Sequence, residues 1–343
     1  MISIDDTVRY VATYIDVIVL IIGILIIPMN LVVLVVLLVS GRLFYYYCVR
    51  YNLPSSYKEY QISSKDIALI TGGSGGLGSE LIKQMLSKGV QKIYNLDLKS
   101  SVERDSRIDY RRCDVGNESE LKQSLDNILS ELKEQNRNIT ILINNAGIRH
   151  SQSLLDLPDK EIHDIFNVNT FSFIWSLRKV TSNHIDTVFK QDTKKDRKLR
   201  IVNVSSILGA LAPRNLSLYS ATKSAIVSIH ESLTQELSEY PEIRLLLVTP
   251  GQLSTGMFKD VEPSRTFLAP IISAEYLARR IVEKINVGES GVYCEPLYAN
   301  FLPGIRVFPM VLQHFCRWFS EMDTKVNSNS KRGNERVDIE IER

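Results

Sequence analysis

The sequence contains few cysteines and almost no net charge. Its four cysteines, Cys48, Cys113, Cys294 and Cys316, are far apart in the 343-residue chain, which excludes a disulfide framework and a metal-ligand spacing. Lysine plus arginine (41) and aspartate plus glutamate (39) nearly balance, and the net charge of +2 excludes the strongly basic balance of many nucleic-acid-binding proteins. The composition therefore predicts a reducing compartment, no metal site and no nucleic-acid partner.

Charge is absent altogether from Val17–Val39, a run interrupted only by Gly23, Pro28 and Asn30. About 20 apolar residues span a bilayer, so we predict a retained transmembrane helix at 17–39 after a short lumenal N-terminus at 1–16. The run is too long for the core of a signal peptide, and its N-terminal flank is acidic rather than basic. A hairpin that turns at Pro28 and Asn30 without crossing the membrane is the alternative.

Basic residues flank this segment unequally. Arg9 alone precedes it, whereas Arg42, Arg50 and Lys58 follow it, in a stretch that we interpret as a linker at 40–65. The positive-inside rule then places the C-terminal bulk of the chain in the cytosol. We expect a single-pass protein of the endoplasmic reticulum membrane, or a protein of the lipid-droplet monolayer if the hairpin forms, with membrane lipid as a partner.

From Asp66 onward, short apolar runs alternate with segments of helical periodicity. The predicted strands are Ile67–Thr71, Lys92–Asp97, Ile108–Arg112, Ile139–Asn144, Arg200–Ser205, Arg244–Thr249 and Gly291–Cys294, and the predicted helices are Ser79–Lys88, Glu118–Lys133, Asp159–Asn183, Ser217–Glu239 and Ala274–Val287. This alternation predicts an α/β domain at 66–296, a Rossmann-type doubly wound parallel sheet of about seven strands with helices on both faces.

A glycine-rich turn joins the first strand to the first helix of this domain. Its glycines are Gly72, Gly73, Gly75, Gly76 and Gly78. Strand, glycine turn and helix in this order are typical of a dinucleotide-binding site, because glycine lets a pyrophosphate approach the backbone and the helix N-terminus offers free N–H groups. An ordinary turn between strand and helix is the alternative.

The second predicted strand ends at Asp97, 19 residues after Gly78. A carboxylate there accepts hydrogen bonds from both ribose hydroxyls of NAD and repels the 2′-phosphate of NADP. The sequence therefore favours NAD(H), although Lys99, two residues further on, leaves NADP(H) possible. A role for Asp97 as the cap of a following helix is the alternative.

Tyr219 and Lys223 stand four residues apart in a predicted helix, so they share one face of it, after Ser205 and Ser206 end a strand. A free tyrosine has a pKa of about 10 and is a poor base at neutral pH. A nearby ammonium lowers that pKa, and such a tyrosine can exchange a proton with an alcohol or carbonyl oxygen during hydride transfer. Pairs of this spacing are also common on helix surfaces, so the pair alone is weak evidence for catalysis.

Taken together, these features resemble the short-chain dehydrogenase/reductase family. The matching segments are Thr71-Gly72-x-x-x-Gly76-x-Gly78, Asp114, Asn144-Asn145-Ala146-Gly147, Asn169, Ser206 at 13 residues before Tyr219, Lys223, and Pro250-Gly251 followed by Thr255. The resemblance covers about Asp66–Cys294, and it implies a catalytic set of Asn169, Ser206, Tyr219 and Lys223.

The resemblance also implies a role for each of these side chains. Tyr219 is the acid or base, Lys223 lowers its pKa and binds the nicotinamide ribose, Ser206 binds the substrate oxygen, and Asn169 supports the proton path. The residues implied to bind the cofactor are Thr71, Gly72, Ser74, Gly76, Leu77, Gly78, Asp97, Asp114, Val115, Asn145, Ala146, Gly147, Tyr219, Lys223, Pro250, Gly251 and Thr255.

The expected function is that of a membrane-anchored NAD(P)-dependent oxidoreductase that interconverts an alcohol and a ketone or aldehyde. The anchor resembles that of the retinol and 17-beta-hydroxysteroid dehydrogenase-like members, which implies a small lipophilic substrate: a retinoid, a steroid or a long-chain acyl compound. Phe258, Phe267 and Leu268 are candidates for an apolar pocket. A homodimer is possible, as in related enzymes. The alternative is a non-catalytic membrane-tethered scaffold or NAD(H) sensor, because fold alone does not establish activity.

Three segments lie outside the resemblance. Lys190–Arg200 is basic and is expected to lengthen a solvated loop or to contact anionic lipid. Residues 297–320 are rich in aromatics and form a substrate lid, a second membrane contact or ordinary packing. Residues 321–343 are polar and are predicted to be a disordered tail.

Overall fold

A seven-stranded parallel sheet forms the centre of the structure. The computed structural model describes residues 31–54, 57–100, 104–190, 198–261, 265–267 and 269–326. The strands are β1 (Ile67–Thr71), β2 (Lys92–Asp97), β3 (Ile108–Arg112), β4 (Ile141–Asn144), β5 (Leu199–Val204), β6 (Ile243–Pro250) and β7 (Gly291–Glu295). They pair in the order β3-β2-β1-β4-β5-β6-β7, and every pair is parallel. The predicted Rossmann-type sheet is confirmed.

The strand order reverses between β1 and β4. Thr71 at the end of β1 pairs with Leu96 of β2 on one side and with Asn144 of β4 on the other. In a doubly wound sheet the crevice at this switch point, outside the carboxyl ends of the strands, is where ligands bind. The glycine turn begins directly after Thr71 and therefore lies in this crevice.

Helices cover both faces of the sheet. The α-helices of the described residues are α1 (Leu31–Tyr51), α2 (Gly76–Ser87), α3 (Glu118–Glu134), α4 (Asp159–Phe166), α5 (Ser172–His184), α6 (Ser217–Glu236), α7 (Ala274–Asn286), α8 (Leu302–Ile305), α9 (Met310–Ser320) and α10 (Met322–Lys325). Those that pack on the sheet are α2 and α7 on one face and α3, α5 and α6 on the other. A π turn, Asn167–Phe171, joins α4 to α5. The predicted helix Asp159–Asn183 is thus two α-helices with a π turn between them.

The side-chain alternation of the strands divides the core into two layers. Ile67 and Leu69 of β1 join the layer with α3, α5 and α6, whereas Ala68 and Ile70 join the layer with α2 and α7. In α3 the buried side chains recur at helical spacing from Leu121 to Leu132, and its N-terminus is capped by the Asn117 side chain, which accepts a hydrogen bond from the Glu120 amide.

The predicted linker at 40–65 is not one irregular stretch. Helix α1 continues to Tyr51, past Val39 where the predicted anchor ends. The chain then packs against the amino ends of the strands: the Asn52 carbonyl accepts hydrogen bonds from Arg244 Nη2 at 2.9 Å and from the Ser290 amide at 3.1 Å. Tyr60 is buried. These contacts fix the stretch to the catalytic domain.

The predicted N-terminal stretch (1–16) and most of the predicted anchor (17–39) lie outside the described residues, which begin at Leu31. Among the helices of the described part, none combines the length and the apolar character that crossing a membrane requires. Residues 191–197 of the predicted basic loop also lie outside the described part. Arg200 belongs to β5, where it is buried and paired with Asp66.

The C-terminal region is ordered further than the sequence predicts. The disordered tail was expected from Glu321, but α10 follows there and Val326 is buried in the core layer of α3, α5 and α6. Asp323 holds this end in place by accepting hydrogen bonds from Arg317 and from the Arg214 amide, both at 2.9 Å. Residues 327–343 lie outside the described part.

Candidate active site

The glycine turn is closely packed against the segment after β4. Gly72 has a φ of 68°, and a Cβ atom built on it meets the Cα of Ala146 at 2.8 Å. A Cβ on Gly78 meets the Gly72 carbonyl oxygen at 2.0 Å. Only glycine fits at these two positions, since one needs a left-handed backbone and the other a contact too close for any side chain. Helix α2 begins with no side-chain cap, which leaves its first N–H groups available to a ligand at this end of the helix.

Two side chains of β2 hold the glycine turn from the other side. Asp97 is buried; its Oδ2 accepts a hydrogen bond from the Ser74 amide at 2.8 Å, and its Oδ1 accepts one from the Lys99 amide at 3.1 Å. Asn95 Oδ1 accepts a hydrogen bond from the Gly73 amide at 3.0 Å. The described residues between Asp97 and β3 hold no helix, so Asp97 does not cap one there.

Sequence reasoning missed Asn95. The signal was an amide between the apolar residues Tyr94 and Leu96 in a predicted buried strand, where Asn95 is fully buried and needs a hydrogen-bond partner. Its Nδ2 also donates to Ser74 Oγ at 3.1 Å.

A first cavity of about 300 Å³ lies beside Asp97 at the carboxyl ends of β1 to β4. It is lined by Gly72, Leu96, Asp97, Leu98, Cys113, Asp114, Val115, Ala146, Gly147, Ile148 and Val168. Asp114 Oδ1 accepts a hydrogen bond from the Gly116 amide at 3.0 Å, which fixes the turn after β3. The structure thus brings together the residues predicted for the adenosine half of a dinucleotide.

The segment Asn144–Gly147 connects three strands. Asn145 Nδ2 donates to the Gly72 carbonyl at 2.7 Å, and the Asn145 amide donates to Thr71 Oγ1 at 3.2 Å. Asn144 Nδ2 donates to Asn203 Oδ1 of β5 at 3.0 Å. These bonds place the backbone of Ala146 and Gly147 between the two cavities.

A second cleft of about 690 Å³ continues from the glycine turn toward α6. It is lined by Gly72, Gly75, Leu77, Asn145, Ala146, Gly147, Val204, Ser205, Ser206, Tyr219, Lys223, Pro250, Gly251, Leu253, Thr255, Met257 and Phe258. Three predicted catalytic side chains, Ser206, Tyr219 and Lys223, therefore share one cleft with the predicted nicotinamide-binding segment after β6.

Asn169 lies behind this cleft rather than in its wall. It is buried in the π turn, its Oδ1 accepts a hydrogen bond from the Ile148 amide at 2.7 Å, and its Nδ2 donates to Thr222 Oγ1 at 3.0 Å. A Cβ built on Gly147 would meet both Lys223 Nζ at 3.3 Å and Asn169 Oδ1 at 3.4 Å. Asn169 and Lys223 thus both lie close to Gly147. The π turn that carries Asn169 is of a kind often found at functional sites.

Burial has the largest effect on the pKa values of Tyr219 and Lys223. It raises the pKa of Tyr219 to about 12, against the opposing effects of a hydrogen bond with Ser206 and the charge of Arg149. It lowers the pKa of Lys223 to about 8. Lys223 Nζ donates to the Val204 carbonyl at 3.1 Å. The effect of Lys223 on the pKa of Tyr219 stays a prediction, and Arg149, which sequence reasoning did not name, is a cation whose charge opposes the effect of burial on Tyr219.

The predicted apolar residues separate in the structure. Phe258 lies in the cleft with its ring against that of Tyr219, with centroids 5.8 Å apart and planes at 74°. Phe267 is exposed and lines neither cavity, and Leu268 lies outside the described residues. Arg149 was missed, because its contact with the turn after β6 joins residues more than a hundred positions apart.

Comparison with known proteins agrees with this arrangement. The short chain dehydrogenase family profile matches residues 66–266. Uncharacterized oxidoreductase TDA5 of Saccharomyces cerevisiae is 34% identical over 272 residues, which are 78% of this chain and 80% of that protein. Epidermal retinol dehydrogenase 2 of Mus musculus is 28% identical over 236 residues, covering 64% of this chain and 71% of that protein.

Solved structures share the fold. A short chain dehydrogenase from Burkholderia cenocepacia in complex with NADP superimposes with a TM-score of 0.59 at 22% identity, covering 74% of this chain and 98% of that one. A 3-ketoacyl-(acyl-carrier-protein) reductase from Brucella melitensis complexed with NADH gives a TM-score of 0.56 at 23% identity, covering 66% and 94%. At these identities the likeness concerns the fold.

Proposed function

Since the chain belongs to the short chain dehydrogenase family and is an NAD(P)-dependent dehydrogenase, we propose that it interconverts an alcohol and a ketone or aldehyde on a lipophilic substrate at a membrane surface. The observation that carries the proposal is the shared cleft of Ser206, Tyr219 and Lys223 beside the glycine turn. Acid–base side chains next to a dinucleotide crevice suit hydride transfer coupled to proton transfer.

The residues around the two cavities suit a dinucleotide. The close contact of Gly72 with Ala146 brings backbone N–H groups to the crevice, and the N-terminus of α2 offers a site for the pyrophosphate. Asp97 would hold a ribose, and Asp114 with Val115 would hold the adenine. Gly251 and Thr255 would hold the carboxamide end. When bound, the nicotinamide gives or takes the hydride.

The protein's own side chains manage the proton. In the reducing direction the Tyr219 hydroxyl donates its proton to the substrate oxygen, and in the oxidising direction the phenolate takes it back. Ser206 lies beside Tyr219 in the cleft and orients the substrate oxygen. Asn169 holds the Ile148 backbone and the Thr222 hydroxyl behind the pair, which fixes the wall around Gly147. Burial of the pair keeps bulk water from the reacting atoms.

The cofactor preference that we propose is NAD(H). Both carboxylate oxygens of Asp97 are fixed by backbone amides, of Ser74 and Lys99, so the charge cannot turn away from a ribose bound there. A fixed carboxylate repels a 2′-phosphate. Lys99 carries the charge that would favour NADP(H) instead.

Two exposed apolar surfaces support attachment to a membrane, which we place at the endoplasmic reticulum. Helix α1 exposes apolar and aromatic side chains: Val33, Val35, Val36, Leu37, Val39, Leu43, Phe44, Tyr46 and Tyr47. Helix α9 exposes Met310, Val311, Leu312, Phe315, Trp318 and Phe319. Residues 297–320 contain no aspartate or glutamate. Extended exposed apolar and aromatic surface of this kind suits the headgroup boundary of a bilayer.

The cleft itself supports a lipophilic substrate. Leu253, Met257 and Phe258 line it together with the polar side chains of Ser206 and Tyr219. An apolar cleft with a few convergent polar groups is the usual form of a small-molecule site. Retinoids, steroids and long-chain acyl compounds fit this description, and the relative named as a retinol dehydrogenase supports the first of them.

The test is a substrate screen. The purified full-length protein in detergent or lipid is assayed with NAD(H) and NADP(H) against paired alcohols and ketones of the retinoid, steroid and long-chain acyl classes, with short alcohols as controls. We expect turnover with at least one lipophilic pair and poor turnover with the short alcohols. Turnover confined to small polar alcohols would contradict the proposed substrate class.

A further inference from the structure

Arg149 connects the segment after β4 to the turn after β6. Its side chain is only 13% exposed, and each of its three guanidinium nitrogens donates a hydrogen bond. Nε donates to the Met257 carbonyl, Nη1 to Ser151 Oγ, and Nη2 to Asp260 Oδ1. Charge-assisted hydrogen bonds of this kind are stronger than neutral ones, and the planar guanidinium holds its acceptors in a fixed arrangement.

The guanidinium also faces an aromatic ring of the cleft. The Arg149 Cζ atom lies 4.6 Å from the centroid of the Phe258 ring, and the Phe258 ring also meets Tyr219 edge to face, with centroids 5.8 Å apart. The three side chains therefore follow one another as cation, apolar ring and catalytic phenol. A cation over an aromatic face adds attraction beyond that of the hydrogen bonds.

The side chain of Gln252 also holds the turn that Arg149 contacts. Gln252 Nε2 donates to the Phe258 carbonyl at 3.2 Å and to the Val261 carbonyl at 2.5 Å. These bonds shape residues 256–261 from within, but they do not join the turn to β4. Met257, Phe258 and Val261 also pack against the core, and Arg149 adds hydrogen bonds that join this turn to the segment after β4.

A plain surface ion pair does not explain this geometry. Asp260 is 46% exposed, and an exposed pair of this kind contributes little by itself. The Arg149 charge is mostly withdrawn from water, so it needs the Met257 carbonyl and the Ser151 hydroxyl as well. If the 256–261 turn moved away, a largely buried cation would lose two of its three partners, which is costly.

We propose that Arg149 is a positioning residue that clamps the 256–261 turn over the cleft, so that Phe258 covers Tyr219 and forms the apolar wall for the substrate. The clamp starts two residues after Gly147, which lines both cavities, so the substrate wall is tied to the cofactor side of the site. Its part in turnover rests on the proposed dehydrogenase reaction, whereas its part in holding the turn does not.

The first test needs no substrate. Hydrogen exchange is measured by mass spectrometry on a peptide spanning 252–261, which contains the Lys259 and Val261 amides that close the turn. We expect Arg149→Met to speed exchange of this peptide by about tenfold or more, the scale expected for losing charge-assisted hydrogen bonds. Arg280→Met, which removes an exposed ion pair on α7, is the matched control and should leave the peptide unchanged.

Two further variants separate the clamp from a general loss of stability. Asp260→Asn keeps Arg149 and removes one acceptor charge, so exchange should rise less than in Arg149→Met. Arg149→Lys keeps the charge but replaces the planar fork of three nitrogens with one ammonium nitrogen, which cannot span the same three acceptors, so exchange should rise while a positive charge remains. Equal exchange in wild type and all three variants would overturn the proposal.

The second test follows turnover. In Arg149→Met we expect KM for a lipophilic alcohol to rise by about tenfold while the Kd of NAD(H) stays unchanged, because Phe258 no longer forms the wall. The midpoint of the pH profile of alcohol oxidation should move to higher pH in Arg149→Met and much less in Arg149→Lys, since the Arg149 charge lowers the pKa of Tyr219. If hydrogen exchange of the 252–261 peptide is faster in Arg149→Met but the wild type turns over no alcohol or ketone, the role of Arg149 in holding the turn is supported and the proposed reaction is refuted.

Discussion

The Nζ atom of Lys223 lies 5.8 Å from the centre of the Tyr219 ring, and both side chains are buried beside one cleft. Burial shifts them in opposite directions, with the pKa of Tyr219 raised to about 12 and that of Lys223 lowered to about 8. Each shift disfavours the charged form. At neutral pH Tyr219 is neutral and bears no such cost, so the cost falls on the buried ammonium of Lys223, as expected where a site serves chemistry.

Replacing the phenol tests the chemistry directly. Tyr219→Phe keeps the ring that packs on Phe258 but removes the proton donor, so turnover should fall by at least about 100-fold. The Kd of NAD(H), measured by fluorescence titration, should change little, which controls for collapse of the site. Near-normal turnover in this variant would refute the assignment of Tyr219.

Removing the buried ammonium should stabilise the protein. The Lys223 pKa is about 8 when folded and 10.5 ordinarily, so the charge is buried at a cost below pH 8, and the cost fades as pH rises to 10.5. Lys223→Met loses one hydrogen bond to Val204 but escapes this cost, and we expect a net gain of about 2 kcal/mol in unfolding free energy at pH 7.

The measurement is chemical denaturation of wild type and Lys223→Met at pH 7 and pH 10, with activity assayed alongside. The gain should shrink toward pH 10, and activity should be lost at both pH values. Lys179→Met, which removes an exposed partner of Asp126, is the control and should change stability by less than about 0.5 kcal/mol. A variant that is less stable than wild type at pH 7 would contradict the argument.

Asp97 carries the prediction on cofactor choice. Asp97→Ala removes the carboxylate that the Ser74 and Lys99 amides hold in place, and with it the repulsion of a 2′-phosphate. The ratio of kcat/KM with NADP(H) to that with NAD(H) should rise by about tenfold or more. A wild type that already prefers NADP(H) would show that Lys99 outweighs Asp97.

Substitutions in the glycine turn test folding and cofactor binding separately. A Cβ on Gly78 meets a backbone oxygen at 2.0 Å, so Gly78→Ala should lower the free energy of unfolding by about 2–3 kcal/mol. A Cβ on Gly75 meets nothing within 4 Å, so Gly75→Ala should fold normally and lose only dinucleotide affinity. Gly304→Ala, equally open but in α8, is the control for both readouts. Normal NAD(H) affinity in Gly75→Ala would place the pyrophosphate elsewhere.

Much of this site could be predicted from sequence because its parts are local. The glycine turn, Asp97 and the Tyr219–Lys223 pair each follow from a short spacing that a strand or a helix fixes. The partners of Arg149 could not be predicted, since the loop of 256–261 reaches it only through the tertiary fold. The π turn that carries Asn169 also escaped, because its sequence continues the apolar periodicity of a helix. The buried Val326 escaped because a polar segment can still be held by one ion pair, here Arg317 with Asp323.

The fluorescence of a tryptophan on the exposed face of α9 can distinguish the three interpretations of residues 297–320, which are a membrane contact, a substrate lid and ordinary packing. The chain has two tryptophans: Trp318, which is 71% exposed on α9, and Trp175, which stacks on Phe171 with ring centroids 5.9 Å apart. Aromatic side chains favour the interface between lipid and water. In Trp175→Phe protein reconstituted into vesicles, Trp318 fluorescence should therefore be strongly quenched by phospholipids brominated on their acyl chains.

Trp318→Phe protein is the matched control, because it contains the same apolar segments and sits in the same vesicles but reports only on Trp175. Its fluorescence should be quenched little, since α5 packs against the sheet. If α9 is instead a substrate lid, Trp318 should resist brominated lipid and change its emission when NAD(H) and substrate are added. If it only packs against the 207–216 loop, where Arg306 and Arg317 bond the Gly209 and Ala212 carbonyls, neither signal should appear. Quenching of Trp318 alone would place the face of α9 in contact with the membrane.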